Sequence, residues 1–331
     1  MRTYLHRRDF LAASTLATAG LLVGGRFSAT AAPAEQPKFK TTPHKALIGA
    51  PSEETFKSWK AVGIEGMETR GETAWRKSSR DAARDHLLAE RLGMRIHSVM
   101  FGWANVNDPN TGRVARDIDN IAAALEAAQG YGADVVLVVP CKIGGMAMPK
   151  PWEFDIRFDE KTGHLEQVVA GDNAKYKEYI EAHNHATDAS RKAIERLLPV
   201  AERTGVVIAV ENVWNNLWVK PELFAHFIGS FNSHWVQAYY DIANHVIYAP
   251  PEEWIRALGR LIVKVHAKDF RLNANGQGGN WVDIRDRGVN WPSVRAALDQ
   301  IGYNGWMTLE GSERLSLEER GKRLDLILAG K

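Results

Sequence analysis

The chain has 331 residues, 45% apolar and 25% charged, the balance of a globular protein and not of a fibre or a disordered polymer. A single cysteine, Cys141, excludes an internal disulfide and a thiolate metal cluster. The formal charge of +2 falls to −1 once residues 1–31 are set aside, because they carry Arg2, Arg7, Arg8 and Arg26 against Asp9; neither value provides a field for nucleic acid.

The first 31 residues read as an address and not as fold. A basic start ending in Arg7-Arg8 leads through Asp9-Phe10-Leu11 into an apolar stretch reaching Gly25, then the small-x-small triplet Ala29-Thr30-Ala31. This predicts a twin-arginine export signal and a periplasmic protein, the alternative being an anchor that is not cleaved. The apolar run is short for a span, so no stable membrane span is expected after processing. Residues 32–44, with Pro33, Pro37 and Pro43, read as a flexible tether, and 45–331 as one domain.

From Lys45 onward, short β-rich runs alternate with helical patterns, as in a parallel sheet wrapped in helices. Strands are expected at 46–49, 63–68, 95–99, 135–139, 206–210, 236–241, 261–266 and 306–310. Helical patterns run over 80–92, 116–131, 175–204 and 291–301. Gly93, Gly132, Gly205 and Gly302 each stand before a strand, where a helix C-terminal glycine belongs. Eight such units in one domain favour a closed (β/α)₈ TIM barrel over an open doubly wound sheet. No G-x-G-x-x-G follows a strand and no P-loop is present, so dinucleotide and nucleotide readings have no support. About thirty residues after the fourth strand, Cys141 to Asp172, break the rhythm; 153–158 and 164–169 around Asp159-Glu160-Lys161-Thr162-Gly163 read as a β-hairpin insertion and a candidate lid.

Glu211, Asp241, His266 and Glu310 close the fifth to eighth strands in turn, at intervals of 30, 25 and 44 residues. Adjacent strands of a barrel bring such ends together at its mouth. Gathering three carboxylates there without a cation would cost several kcal/mol each. Three oxygen ligands and one imidazole suit a single hard or borderline divalent ion, Mn²⁺ first, with Mg²⁺, Co²⁺ or Zn²⁺ as alternatives.

The segments Glu211-Asn212-Val213-Trp214, Asp241-Ile242-Ala243-Asn244, His266-Ala267-Lys268-Asp269-Phe270, Gly288-Val289-Asn290-Trp291-Pro292, Gly302-Tyr303-Asn304-Gly305-Trp306 and Leu309-Glu310-Gly311 resemble the xylose-isomerase-like TIM-barrel sugar isomerase/epimerase superfamily. Within it they are nearer the D-tagatose 3-epimerase, L-xylulose-5-phosphate 3-epimerase and hydroxypyruvate isomerase types than xylose isomerase itself. The resemblance implies that Glu211, Asp241, His266 and Glu310 bind Mn²⁺ or a similar ion, and that Glu211 and Glu310 also move the proton. The expected reaction is proton abstraction next to a carbonyl through a metal-stabilised enediolate. Carboxylates on two faces would invert a centre, and one on a single face would interconvert aldose and ketose.

Further substrate contacts are expected from Lys268, two residues past the histidine; from Glu68 and His97 near the ends of strands two and three; from Trp103 and Trp214 as stacking rings; and from Asn244 and Arg271. His183, His185, His226 and His234 are expected to be solvated. The family pattern is not matched throughout: some epimerases carry a histidine where Asn244 stands, with His245 next here, and the Gly288–Trp291 stretch departs from a common G-x-G. The same superfamily holds three-zinc nucleases, but residues 271–290 contain no histidine. A small carbohydrate is therefore the expected partner, without nucleic acid, and a homo-oligomer is compatible. The rival readings are a lyase that β-eliminates 3-keto-glycosides on the same metal site, and a non-catalytic periplasmic sugar-binding protein. A free sugar or keto-sugar suits export better than a sugar phosphate.

Overall fold

Parallel strands covered on both faces need unbroken apolar runs, and Val135–Val139, buried at every position, is the plainest case. The computed structural model, which describes residues 38–331, closes eight such strands into a barrel. They are β1 His44–Gly49, β2 Gly66–Arg70, β3 Arg95–Trp103, β4 Val135–Val139, β5 Val207–Glu211, β6 Val236–Asp241, β7 Ile262–Ala267 and β8 Trp306–Leu309. Each pairs in parallel with its neighbours in chain order, and β8 returns to β1.

The helices cover the outside: α1 Glu53–Ala61, α2 Glu72–Trp75, α3 Ser79–Arg91, α4 Thr111–Gly130, α5 Lys177–Thr204, α6 Pro221–Gly229, α7 Pro251–Leu258, α8 Trp291–Gln300 and α9 Leu317–Leu328. Side chains of Ser52, Ser78, Asn110, Asn290 and Ser316 cap α1, α3, α4, α8 and α9 by accepting from a backbone N–H in the first turn. The 28-residue α5 stops where Gly205 takes the left-handed conformation, φ 69°. β2 begins at Gly66 and not at Gly63, because Gly63 N–H still bonds the Lys60 carbonyl in the turn that ends α1. No described helix is long and apolar enough to cross a membrane. The export signal lies outside the described residues.

The tether expected over 32–44 does not extend to its end. Asp299 Oδ1 on α8 accepts from the backbone N–H groups of Lys40 and Thr41 (2.8 and 2.9 Å) and from the Thr41 hydroxyl. The buried Arg295 guanidinium lies 3.9 Å over the Phe39 ring and bonds Thr41. Prolines in the sequence suggested looseness; a charged pair on a helix more than 250 residues away fixes the segment.

The hairpin of the insertion is short, pairing Arg157 with Gln167 and Phe158 with Leu165. Leu165 exchanges two hydrogen bonds with the Asn184 amide on α5, His164 meets Asp188, and the His226 ring on α6 bonds the Glu160 carbonyl. The hairpin is thus held against α5 and α6, while Cys141, Ile143 and Phe154 of the same insertion touch Asn215, Asn216 and Tyr248 in the loops after β5 and β6.

Inside the barrel, β4 and β5 present an apolar cluster of Val135, Leu137, Val139 and Ala209 with Tyr239. The opposite half is polar, with Glu68, His97, Ser98, Lys264 and Thr308 all buried. Trp306 fills space on that side, stacked on His97 at 4.6 Å between ring centroids. Gly66 is the residue that makes room for it, because a Cβ there would stand 2.3 Å from the indole. Gly66→Ala should therefore destabilise the fold by about 1–3 kcal/mol, read as a lower urea midpoint, and Trp306→Phe in the same chain should recover part of the loss.

Candidate metal centre and active site

The four expected ligands come together because each stands at or beside the C-terminal end of a strand. Glu211 and Asp241 are the last residues of β5 and β6, and Asp241 is in register with His266 on β7. Glu310 follows β8 and extends its ladder, its N–H bonding the Ala267 carbonyl at 3.1 Å. One oxygen or ring nitrogen from each residue lies within 4.8 Å of all the others. Ligands across a divalent ion, each about 2.0–2.5 Å from it, stand roughly 4–5 Å apart.

His266 is the hub. Its Nδ1 is 3.2 Å from Glu211 Oε1 and 3.3 Å from Glu310 Oε2. Its Nε2 meets Glu68 Oε2 at 2.6 Å, with both side chains fully buried. A carboxylate on the far nitrogen of a ligand histidine fixes its tautomer and leaves the other nitrogen for a metal. Glu68 is itself held by the Ser98 and Tyr239 hydroxyls, both at 3.1 Å. The Asn212 side chain bonds the backbone of Asp241 twice, at 2.7 and 2.8 Å, and so fixes its position. Asp241 Oδ1 accepts from the N–H groups of Ala243 and Asn244. Asp241 Oδ2 and Glu310 Oε2 are buried without a hydrogen-bond donor. Orphaned carboxylate oxygens are costly, and a cation is what such a donor set accommodates.

The electrostatics agree. Burial, together with the charges of Glu310 and Glu211, pushes the Asp241 carboxyl up to about 8. Burial also raises Glu211, against the pull of His266. For Glu310 burial acts upward too, but the His266 ring and the Lys268 ammonium, 2.9 Å away, hold it well below the usual carboxylate range. Burial opposes the charge on His266, yet Glu68, Glu211 and Glu310 together hold it well above the usual imidazole range.

Of the expected substrate contacts, Lys268 reaches the cluster through Glu310. Trp214 lies beside it, its indole N–H donating to the Asn244 carbonyl, and Trp103 stands exposed at the end of β3. Of the others, burial corrects Glu68 and His97. Glu68 is sealed beneath His266, where it can orient the ring but cannot touch a substrate. His97 is buried between Trp306 and Thr308. Asn244 turns its amide onto the Asn212 carbonyl at 3.0 Å and Glu211 at 3.5 Å. Arg271 is exposed on a second hairpin, Asp269–Leu272 paired with Gly279–Val282; strand alternation puts it on the opposite face from the Phe270–Trp281 pair. His183 is not solvated but buried, accepting from Trp218 N–H. Trp281 was not singled out in the sequence, although the Gly- and Asn-rich stretch 273–279 before it signals the turn.

A family model for xylose isomerase-like TIM barrels matches residues 56–325. The chain belongs to this family. Among curated proteins none matches. Three solved members of the fold show how far the likeness reaches. 3-Keto-D-glucoside 4-epimerase from E. coli is 14% identical with a TM-score of 0.61, over 86% of this chain and 98% of that one. A xylose isomerase-like TIM barrel protein from Mycobacterium smegmatis in complex with magnesium is 17% identical with a TM-score of 0.58, over 88% and 96%. D-Allulose 3-epimerase from Methylomonas sp. in complex with D-allulose is 17% identical with a TM-score of 0.58, over 90% and 97%. Identities this low establish the shared barrel.

A cation must displace the proton that Asp241 holds up to about pH 8 and the one held on His266, so Mn²⁺ affinity should rise with pH through that value. Titration calorimetry in buffers of different ionisation heat should show proton release on binding; its absence would contradict the ligand assignment. The raised Asp241 value also means that the metal-free fold holds a proton which the unfolded chain has lost, so metal-free stability falls as pH rises from about 4 towards 8. Glu68→Gln should weaken Mn²⁺ binding by about 10–100-fold, measured by chelator competition.

Proposed function

We propose that the chain is a sugar isomerase or epimerase dependent on one divalent cation, Mn²⁺ by preference, and acting on a non-phosphorylated sugar or keto-sugar. The observation that carries this reading is the convergence of two glutamates on the same nitrogen, Nδ1, of a buried histidine, with the Asp241 carboxyl beside them. When bound, a cation on Glu211, Asp241, His266 and Glu310 would polarise a substrate carbonyl and acidify the adjoining C–H. Glu211 arrives from β5 and Glu310 from the end of β8, with β6 and β7 between them. A substrate lying against His266 thus meets a carboxylate on each side, one to take the proton and one to return it. Lys268 keeps Glu310 ionised, as a base must be, and offers an ammonium to a substrate oxygen. Glu68 touches no substrate in this scheme; it holds the imidazole.

Export by the twin-arginine route fits the reading, because folding before export would let the site take Mn²⁺ before meeting ions of higher intrinsic affinity. Protein recovered after export in its native host should then contain manganese; zinc alone would count against this. A second reading, β-elimination from a 3-keto-glycoside, shares the first proton abstraction, and the likeness to a 3-keto-D-glucoside 4-epimerase favours keeping it.

The test is proton exchange. Incubated with Mn²⁺ in D₂O on a panel of ketohexoses and 3-keto-glycosides, the protein should place deuterium on the carbon next to the carbonyl, read by NMR. Epimer or isomer formation supports the first reading and glycone release the second; sugar binding with neither would make it a binding protein. Glu310→Gln should keep the cation and lose about 10²–10⁴-fold in turnover, and unchanged turnover would remove Glu310 from the reaction.

A further inference from the structure

Beside the four ligands, the barrel mouth carries an aromatic surface that the proton chemistry does not use. Trp214, in the loop after β5, and Trp281, on the return strand of the hairpin after β7, meet at 5.3 Å between ring centroids with planes 40° apart. Phe270 stands edge-on to both, at 5.8 and 4.9 Å, and is itself buried. The indoles are not; each keeps 41% of its surface exposed. Both are nevertheless held in place. Trp214 is pinned through its N–H to the Asn244 carbonyl, and Trp281 sits opposite Phe270 in the hairpin register. Two rigid apolar faces kept open next to a polar site are a surface for an amphipathic ring.

Their position relative to the glutamates is specific. The Lys268 ammonium lies 4.8 Å over the Trp281 ring and 2.9 Å from Glu310. Asn244, whose carbonyl holds Trp214, turns its amide to Glu211. Each indole is therefore one residue removed from one of the two carboxylates assigned to proton transfer. A sugar with its reacting carbon between those carboxylates would have the indole pair one residue away on either path. A pyranose offers an apolar C–H face to an aromatic ring while its hydroxyls remain free to accept from an ammonium such as that of Lys268, which lies over Trp281.

We propose that Trp214 and Trp281 form a subsite for a second pyranose ring, so that the preferred substrate is a glycoside or disaccharide and not a free monosaccharide. This rests on the sugar isomerase or epimerase reading and narrows its substrate class.

The full chain loaded with Mn²⁺ would be titrated calorimetrically with D-glucose and with cellobiose, maltose and lactose, each checked by NMR for turnover during the titration. At least one disaccharide should bind about tenfold more tightly than D-glucose. Trp281→Ala should abolish that ratio and Trp281→Tyr should restore it, with bound manganese unchanged in both. Trp152→Ala, which removes an exposed indole on the insertion, should keep the ratio. Equal affinity for D-glucose and every disaccharide, or a ratio that survives Trp281→Ala, would overturn the subsite. So would sedimentation showing a dimer that Trp281→Ala dissociates, since the rings would then belong to a second copy. Deuterium exchange on free ketohexoses separates the two levels: exchange without a disaccharide preference removes the subsite alone. A disaccharide preference without exchange on any sugar removes the isomerase and epimerase reading alone.

Discussion

Three carboxylates cannot share a buried pocket unless positive charge is supplied, and at this barrel mouth the protein's own share comes from two groups. His266 meets Glu211 and Glu310 with one nitrogen and Glu68 with the other, and Lys268 meets Glu310 from the rim. Asp241 receives only two backbone N–H groups on one oxygen and nothing on the other. The imbalance shows in the directions of the shifts: Glu310, beside the cationic groups, stays ionised, whereas Asp241 and Glu211 are driven towards their neutral forms. A divalent ion on these residues would meet the remaining demand.

That constraint reaches into the barrel. Glu68 can support His266 only because its own oxygens are held by Ser98 and Tyr239, and the Tyr239 hydroxyl approaches Thr308, which bonds His97. One half of the interior is therefore a connected polar lattice, and the other half, around Val135 to Val139, is a dry packing surface. A buried lattice of this kind is stable only when its members are satisfied together. The strands bearing Glu68, His97, His266 and Thr308 are β2, β3, β7 and β8, which flank β1 on its two sides where the barrel closes.

The convergence of Glu211, Asp241, His266 and Glu310 was legible because it depends on strand ends alone. A run such as Val236 to Asp241 shows its strand, and closure then brings its last residue to the mouth. Which residues stand one layer below the ligands was not legible, since that depends on the stagger of neighbouring strands. Glu68 looked like a rim residue, yet a register shift between Met67 and Glu68 sets it opposite Ser98, inside the barrel. His97 was ambiguous for the same reason. Arg271 and Trp281 differ in another way: alternation would have separated their faces, but only with the pairing of the hairpin known. Phe39 to Thr42 was misread because loose composition carries no record of Asp299 and Arg295 waiting on α8.

The hairpin after β7 carries a consequence for how such a protein diversifies. The candidate ligands Glu211, Asp241 and His266 are rooted in barrel strands, whereas Trp281 belongs to a two-stranded appendage that pairs only with itself. Residues in its turn can be inserted, lost or exchanged without disturbing the parallel ladder. Under the proposed function, the reaction and the choice of sugar would rest on separate parts of the chain, because a change in the hairpin falls on a piece the barrel ladder does not include.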